Sequence, residues 1–341
     1  MGGIANMTSW GYRVNINCVR EQFCICNQFW KGSECVKRIL TLAMIMLLAV
    51  AAIGCGSAKE PGQGGDAPQA GAGGGGEEGK GGTLEEARKR GYITVGFANE
   101  KPYAYKEANG ELTGEAVEIA KVVLKNLGIN EVRGELTEFS SLIGGLQAKR
   151  FDLITAGMFI NSDRCAAVLF ADPEYSIGEA IAVKQGNPLQ LKSYEDIAKN
   201  NDARVAVMAG AVEIGYLEKS GVPKDRMVIV PDQASALNAL QAGRADAITM
   251  TGPALQSMLD SANDPSIERV SDFTQPVIDG KDVRGYGATA FRQADQEFRD
   301  AFNAELNKLK ESGELLTILQ QFGFTEDELP GNVTAEELCK E

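Results

Sequence analysis

Histidine is absent from all 341 residues. That removes Ser-His-Asp and Cys-His catalysis, His-ligated zinc and an imidazole pH switch together. Basic residues are also short, with 34 Lys and Arg against 47 Asp and Glu and a net charge of −13. Nucleic acid is excluded as a partner, because phosphate binding needs a basic face. Tryptophan occurs only at Trp10 and Trp30. Neither a metal nor an organic cofactor is expected. What remains is ordinary for a globular protein, 44% hydrophobic and 24% charged, with length enough for two packed domains.

Residues 37–54 read as a bacterial export signal. Lys37 and Arg38 precede the apolar run "ILTLAMIMLLAVAAIG", 16 residues long, where spanning a bilayer takes roughly 20. The run ends in "AAIGC", which is similar to the lipobox of bacterial lipoproteins, so Cys55 would become the acylated first residue. Ala52 stands where leucine is usual, and an uncleaved anchor helix is the alternative. Residues 1–36 hold Cys18, Cys24, Cys26 and Cys35 with both tryptophans. A metal knuckle can be read into them, but a start site annotated too far upstream explains them better. They are set aside as not part of the mature protein. Without residues 1–54 the chain carries 29 basic and 45 acidic residues, a net −16.

The stretch after Cys55, "GSAKEPGQGGDAPQAGAGGGGEEGKGG", has almost no side chain that could enter a core and reads as a flexible tether over 55–82. A coil of that length reaches roughly 29 Å root-mean-square. From Thr83 the pattern becomes an alternation of helices and strands. "TLEEARKRG" predicts a helix ending at Gly91, "YITVGFA" a strand, "GEAVEIAKVVLKNLG" an amphipathic helix, and "FDLITAGMF" another strand. The theme repeats from "YEDIAKN" to "ADAITMT" and again in the tail. Such alternation predicts α/β architecture with parallel strands, and two sets of it predict two lobes.

Several local patterns, in order, resemble the extracellular solute-binding proteins of ABC importers, family 3, the polar amino-acid-binding type. They are "YITVGFANEKPYAY", "GELTGEAVEIAKVVLKNLG", "SLIGGLQAKRFDLITAGM", "DRCAAVLFADPEYS", "LQAGRADA" and "GELLTILQQFGF". The resemblance implies a type II, Venus-flytrap periplasmic-binding-protein fold, each lobe a mainly parallel sheet flanked by helices. Lobe 1 would comprise 83–184 plus 286–341 and lobe 2 would comprise 185–285, with hinge crossovers near "KQGNP" and "VRGYG". Within the family, "AGMFINSDRC", "VMAGAVEIGY", "PDQASAL" and "FTEDELPGNVTAEELC" are most similar to the ectoine- and hydroxyectoine-binding members. Ectoine is a compact zwitterion, a carboxylate on a small ring whose positive charge is spread over an amidinium.

The resemblance places Arg164 as the clamp on a ligand carboxylate, a task for a planar guanidinium fork that lysine cannot match. A surface pair with Asp163 is the bland alternative. Phe159, Tyr103 and Phe139 correspond to aromatic walls, which attract a weakly hydrated cation by about 0.5–2 kcal/mol. Core packing is the commoner fate of such rings. Phe139 stands where tyrosine is expected, so one hydroxyl contact is missing. Glu100 would oppose the amidinium, against the alternative of a pair with Lys101. Asp232 would add an acceptor from lobe 2. The amides of Gly210, Ala211 and Val212 would sit at a helix N-terminus, which favours anions. Amino-acid binders of the family place an Asp five residues after the "GRxDA" Asp. Here that count, from Asp246, reaches Thr251. Burying a primary ammonium without the acid is costly, so an ordinary α-amino acid is disfavoured. The lack of tryptophan after residue 36 weakens a betaine-type cage. Cys165 and Cys339 are the thiols left outside the lipid site and are candidates for a disulfide in an exported protein.

The expected function is therefore binding without chemistry. The protein would be a monomeric lipoprotein outside the cell membrane, trapping ectoine or hydroxyectoine for the permease subunits of an importer. The alternatives are a binder of another zwitterion or polar amino acid, and a cyclohexadienyl or arogenate dehydratase-like enzyme on the same fold.

Overall fold

The computed structural model describes residues 82–278 and 280–340. The expected upstream segment, signal, lipidated Cys55 and tether lie outside the described residues. Among those described, no helix is long and apolar enough to cross a membrane.

The chain opens with α1 (Thr83–Arg90), which stops where Gly91 takes a left-handed φ of 81°. Then come β1 (Tyr92–Phe97), the hairpin β2 (Tyr105–Lys106) and β3 (Leu112–Thr113), α2 (Glu115–Asn126) and β4 (Glu131–Leu136). After α3 (Leu142–Gln147), β5 (Leu153–Ile154), α4 (Ser162–Cys165) and β6 (Leu169–Phe170), the chain reaches β7 (Tyr175–Ile177). The middle section holds β8 (Glu179–Lys184), α5 (Tyr194–Lys199), β9 (Val205–Met208), α6 (Glu213–Lys219), β10 (Met227–Val230) and α7 (Gln233–Gln241). It continues with β11 (Ala247–Thr251), α8 (Gly252–Ala262), β12 (Ile267–Arg269) and the small hairpin β13 (Val277–Ile278) and β14 (Lys281–Asp282). The tail returns through β15 (Gly285–Gly287) and β16 (Ala290–Phe291) to α9 (Gln296–Ser312), α10 (Glu314–Gln320) and α11 (Ala335–Leu338).

Two five-stranded sheets result, ordered β4-β1-β5-β16-β6 in lobe 1 and β10-β9-β11-β8-β12 in lobe 2. Each is mixed rather than mainly parallel. β1 pairs in parallel with β4 and β5, and β9 with β10 and β11. The pairings of β16 with β5 and β6, and of β8 with β11 and β12, are antiparallel. These reversed strands are the ones that follow a crossover between lobes. The central strands are buried along their length, as "VAVM" of β9 and "AITMT" of β11 show, because helices cover both faces. α9 buries Phe298, Phe302, Leu306 and Leu309 at helical spacing, one stripe turned to the lobe 1 core.

The crossovers differ from expectation at one end. β7 runs directly into β8, the first strand of the lobe 2 sheet, so the chain leaves lobe 1 at 177–179 and not at "KQGNP". Residues 179–184, expected in lobe 1, accordingly belong to lobe 2. The return strand β15 pairs antiparallel with β7, Tyr286 opposite Ser176. The two crossovers thus form one two-stranded ribbon. Cys165 and Cys339 are joined by a disulfide, 174 residues apart, which ties the tail after α11 to α4.

Candidate functional site

A cavity lies at the lobe boundary, reached by both sheets at strand ends. Lobe 1 lines it with Glu100, Tyr103, Phe139, Gly157, Phe159 and Arg164, and lobe 2 with Met208, Ala211, Val212, Glu213 and Thr251. About 30 Å³ of it is open to the centre of a water-sized sphere. That accommodates one or two waters, since one needs roughly 10–15 Å³ on this measure. A ring-shaped solute can enter only when the lobes part.

The segment after β1 is held as a small loop, with Glu100 and Ala104 exchanging both backbone hydrogen bonds at 3.0 Å. The first amides of α2 fix it from behind, Glu115 donating to the Pro102 carbonyl and Ala116 to that of Tyr103. Tyr103 stacks on Tyr175 with ring centroids 5.5 Å apart, and Phe159 meets Tyr175 edge-on. The hinge ribbon packs beneath. A Cβ on Gly285 would stand 1.7 Å from the Phe159 ring, and one on Gly287 would stand 2.1 Å from that of Tyr175. Only glycine lets the ribbon approach the aromatic wall so closely. The rings are therefore both core and cavity wall, Tyr103 and Phe159 being 2% and 4% exposed.

Arg164 is half-buried on α4, whose N-cap Asn161 accepts a hydrogen bond from the Arg164 amide. Its guanidinium donates to the Phe159 carbonyl at 2.7 Å and, across the lobes, to the Gly210 carbonyl at 2.9 Å. It also stands 5.5 Å from the centroid of Phe139. No pair with Asp163 forms among the described ion pairs. Burial lowers the Arg164 pKa, and the Glu213 carboxylate counters part of that fall. Glu100 has no pair with Lys101, whose ammonium lies over the Tyr105 ring instead. Burial and Glu213 push Glu100 up to about 8, so in this closed arrangement it holds its proton at neutral pH.

Two expected contributions are corrected. Asp232 does not face the cavity. It caps α7, accepting from the Ser235 amide at 2.7 Å, and lines a separate inter-lobe groove of about 710 Å³. Local capping chemistry claims its carboxylate. The amides of residues 210–212 are not an anion cradle either. α6 begins only at Glu213 and has seven residues, the Ala211 amide donates to the Met208 carbonyl, and Gly210 presents its oxygen to Arg164. Ala211 and Val212 nonetheless line the cavity.

Four lining residues had not been expected as contacts: Gly157, Met208, Glu213 and Thr251. Thr251, noted in the sequence only for the acid it replaces, shares a 2.5 Å hydrogen bond with the Tyr103 hydroxyl across the lobes. Glu213 sits in the first turn of a helix, where a glutamate reads as a solvated end, and nothing local signals that it is buried. Behind it lies Glu179, cross-strand from Thr251 and 2% exposed.

Comparisons with known proteins agree with this arrangement. The sequence model of the bacterial extracellular solute-binding proteins, family 3, matches residues 93–326. A probable amino-acid ABC transporter periplasmic-binding protein, y4tE of Sinorhizobium fredii, is 37% identical, over 75% of this chain and 86% of that protein. A crystal structure of EhuB in complex with hydroxyectoine superposes with a TM-score of 0.69 at 39% identity, covering 75% of this chain and 97% of that one. That of an ancestral amino acid-binding protein described as a precursor of cyclohexadienyl dehydratase gives 0.61 at 28%, covering 70% and 99%. A two-lobed α/β fold with a lined cavity at its hinge, and a family match across both lobes, place this chain among the bacterial extracellular solute-binding proteins, family 3.

Proposed function

We propose that this ABC-transporter solute-binding protein takes ectoine or hydroxyectoine between its lobes and delivers it to a permease from a lipid anchor on the outer side of the membrane. The observation that carries the reading is the chemical set around one cavity: a single guanidinium, the carboxyls of Glu100 and Glu213, and three aromatic rings. A carboxylate entering the cleft would exchange the Phe159 and Gly210 carbonyls for itself at Arg164, gaining two charge-assisted bonds. The amidinium would face Glu100, with Phe159, Tyr103 and Phe139 around its ring. Thr251, bonded to Tyr103 where amino-acid binders carry an acid, supports a delocalised cation over a primary ammonium. Likeness to the hydroxyectoine complex of EhuB supports the same choice.

Thermal melting against ectoine, hydroxyectoine, glycine betaine and polar amino acids tests the reading. Ectoine or its hydroxylated form should raise Tm most, and Arg164→Ala should weaken binding by about 2–4 kcal/mol, roughly 30- to 1000-fold. An amino acid that raises Tm more, or an unaltered Arg164→Ala, contradicts it.

A second reading has one observation behind it. Glu100, protonated at neutral pH, is equipped as a general acid. Turnover of prephenate or arogenate by the purified protein would establish the dehydratase alternative, and its absence leaves Glu100 as a partner for a cation.

A further inference from the structure

Glu179 and Glu213 are two carboxyls brought together at the lobe 2 side of the cavity. Glu179 opens β8 directly after the hinge ribbon, and Glu213 opens α6. Both are buried, at 2% and 5% exposure. Glu213 lines the cavity and Glu179 stands behind it. Apart from Glu213, neither oxygen of Glu179 has a hydrogen-bond partner. Two adjoining carboxylates cannot both be charged in such a place, and an unshared buried acid is costly. Among the described residues, Arg164 is the cation that acts on Glu213, and its guanidinium is engaged with two carbonyls. The other titratable groups that act on it are Glu100, Tyr103, Tyr194 and Tyr216.

We propose that Glu179 and Glu213 form a second acceptor, on lobe 2, for an N–H donor of the bound cation, with Glu179 the positioning residue that orients Glu213. Burial and the neighbouring Glu213 hold Glu179 well above the ordinary carboxylate range. Burial raises Glu213 as well, against the opposing effect of the backbone amides of residues 213 and 251, Glu179 and Arg164. One proton is then shared by the pair, with Glu179, away from the cavity, as its donor and the cavity-lining Glu213 left to accept from a solute. With Glu100 on lobe 1, the closed site offers an acceptor from each lobe.

This defines a substrate class. The solute brings a carboxylate for Arg164 and a planar cation with N–H groups on two sides, as cyclic amidinium and guanidinium acids do. Quaternary ammonium solutes carry no N–H and would leave a buried acceptor unpaired, which is how such sites discriminate strongly. The inference rests on the zwitterion-binding reading above and deepens it.

The test is calorimetric titration of the purified protein and three variants with ectoine, arginine and glycine betaine, each variant checked for folding by circular dichroism. Glu213→Gln is expected to weaken binding of the N–H-bearing solute by about 10- to 100-fold. Glu179→Gln, whose amide still donates to Glu213, should stay within about threefold of the wild type, while Glu179→Leu should lose about tenfold or more. Should Glu179→Leu not fold, the Gln pair decides alone. Glu179→Gln losing as much as Glu213→Gln, or Glu213→Gln losing nothing, overturns the inference. A wild type that takes arginine in place of ectoine sinks only the ectoine reading, and the variants are then scored with arginine. Preference for glycine betaine, or binding of neither N–H cation, overturns the inference itself.

Discussion

Glu100 is the group whose ionisation the fold sets most directly against a bound cation. Its pKa stands at about 8 in the folded protein, against an ordinary value of 4.5. Between those values the folded state keeps a proton that the unfolded chain has released. Stability therefore falls as pH rises from about 4.5 to about 8 and levels off above, opposite to the behaviour of a salt-bridged carboxylate. The loss from this residue is on the order of 5 kcal/mol. Glu100→Gln should flatten that part of the Tm-against-pH curve of the solute-free protein. The slope that persists belongs to Glu174, pushed up to about 7, and to the other raised buried carboxyls Glu115, Glu179 and Glu213. A curve unchanged by the substitution contradicts the assignment. At this scale the family resemblance pointed to Arg164, Glu100 and the three rings, and the fold brings them to one cavity. Glu179 and Glu213 stayed hidden, since burial of a glutamate is decided by elements far away in the chain.

At the scale of elements, three hydrogen-bonded contacts away from the hinge join the lobes among the described residues: Arg164 to Gly210, Tyr103 to Thr251, and Gln233 to Lys101. Gln233, the first residue of α7, accepts from the Lys101 amide at 3.2 Å and donates to its carbonyl at 2.9 Å. It grips the loop that carries Glu100 and Tyr103 without lining the cavity. Gln233→Ala removes both of these inter-lobe hydrogen bonds, worth about 1–3 kcal/mol together, and a third within lobe 2 to the Ala254 carbonyl. The open form should gain population, so small-angle scattering of the solute-free protein should give a larger radius of gyration and solute affinity should drop several-fold. An unchanged radius would refute a latch. The disulfide is the other tie between elements. Replacing Cys165 and Cys339 together by serine should cost about 2–5 kcal/mol, read as a lower Tm, while solute affinity at low temperature is kept. The first helix end was legible from local chemistry at Gly91, which adopts left-handed backbone; the same break at Gly313, φ 77°, went unread within a longer helix. The first crossover was not legible, because "GEAIAVK" reads as a strand equally well in either sheet and only its pairing with β11 and β12 assigns it.

At the scale of the whole molecule, neither lobe holds the site alone. Lobe 1 supplies the guanidinium, one acid and the rings, and lobe 2 supplies the facing acid, Thr251 and the surfaces that shut the cavity. A solute that touches both lobes favours closure by the difference in its affinity for the closed and open states. The hinge ribbon lies directly under the aromatic wall, Gly285 against the Phe159 ring and Gly287 against that of Tyr175. The alternation of helices and strands foretold two lobes, whereas the small closed cavity depends on contacts such as Gln233 with Lys101, 132 residues apart, which no local pattern encodes. The most direct test of the central claim is a crystal structure of the protein grown with ectoine. It should show the solute carboxylate on the Arg164 fork, its ring between Phe159, Tyr103 and Phe139, and ring N–H groups on Glu100. A solute seated with those side chains turned away from it, or lodged in the groove beside Asp232, would contradict the account.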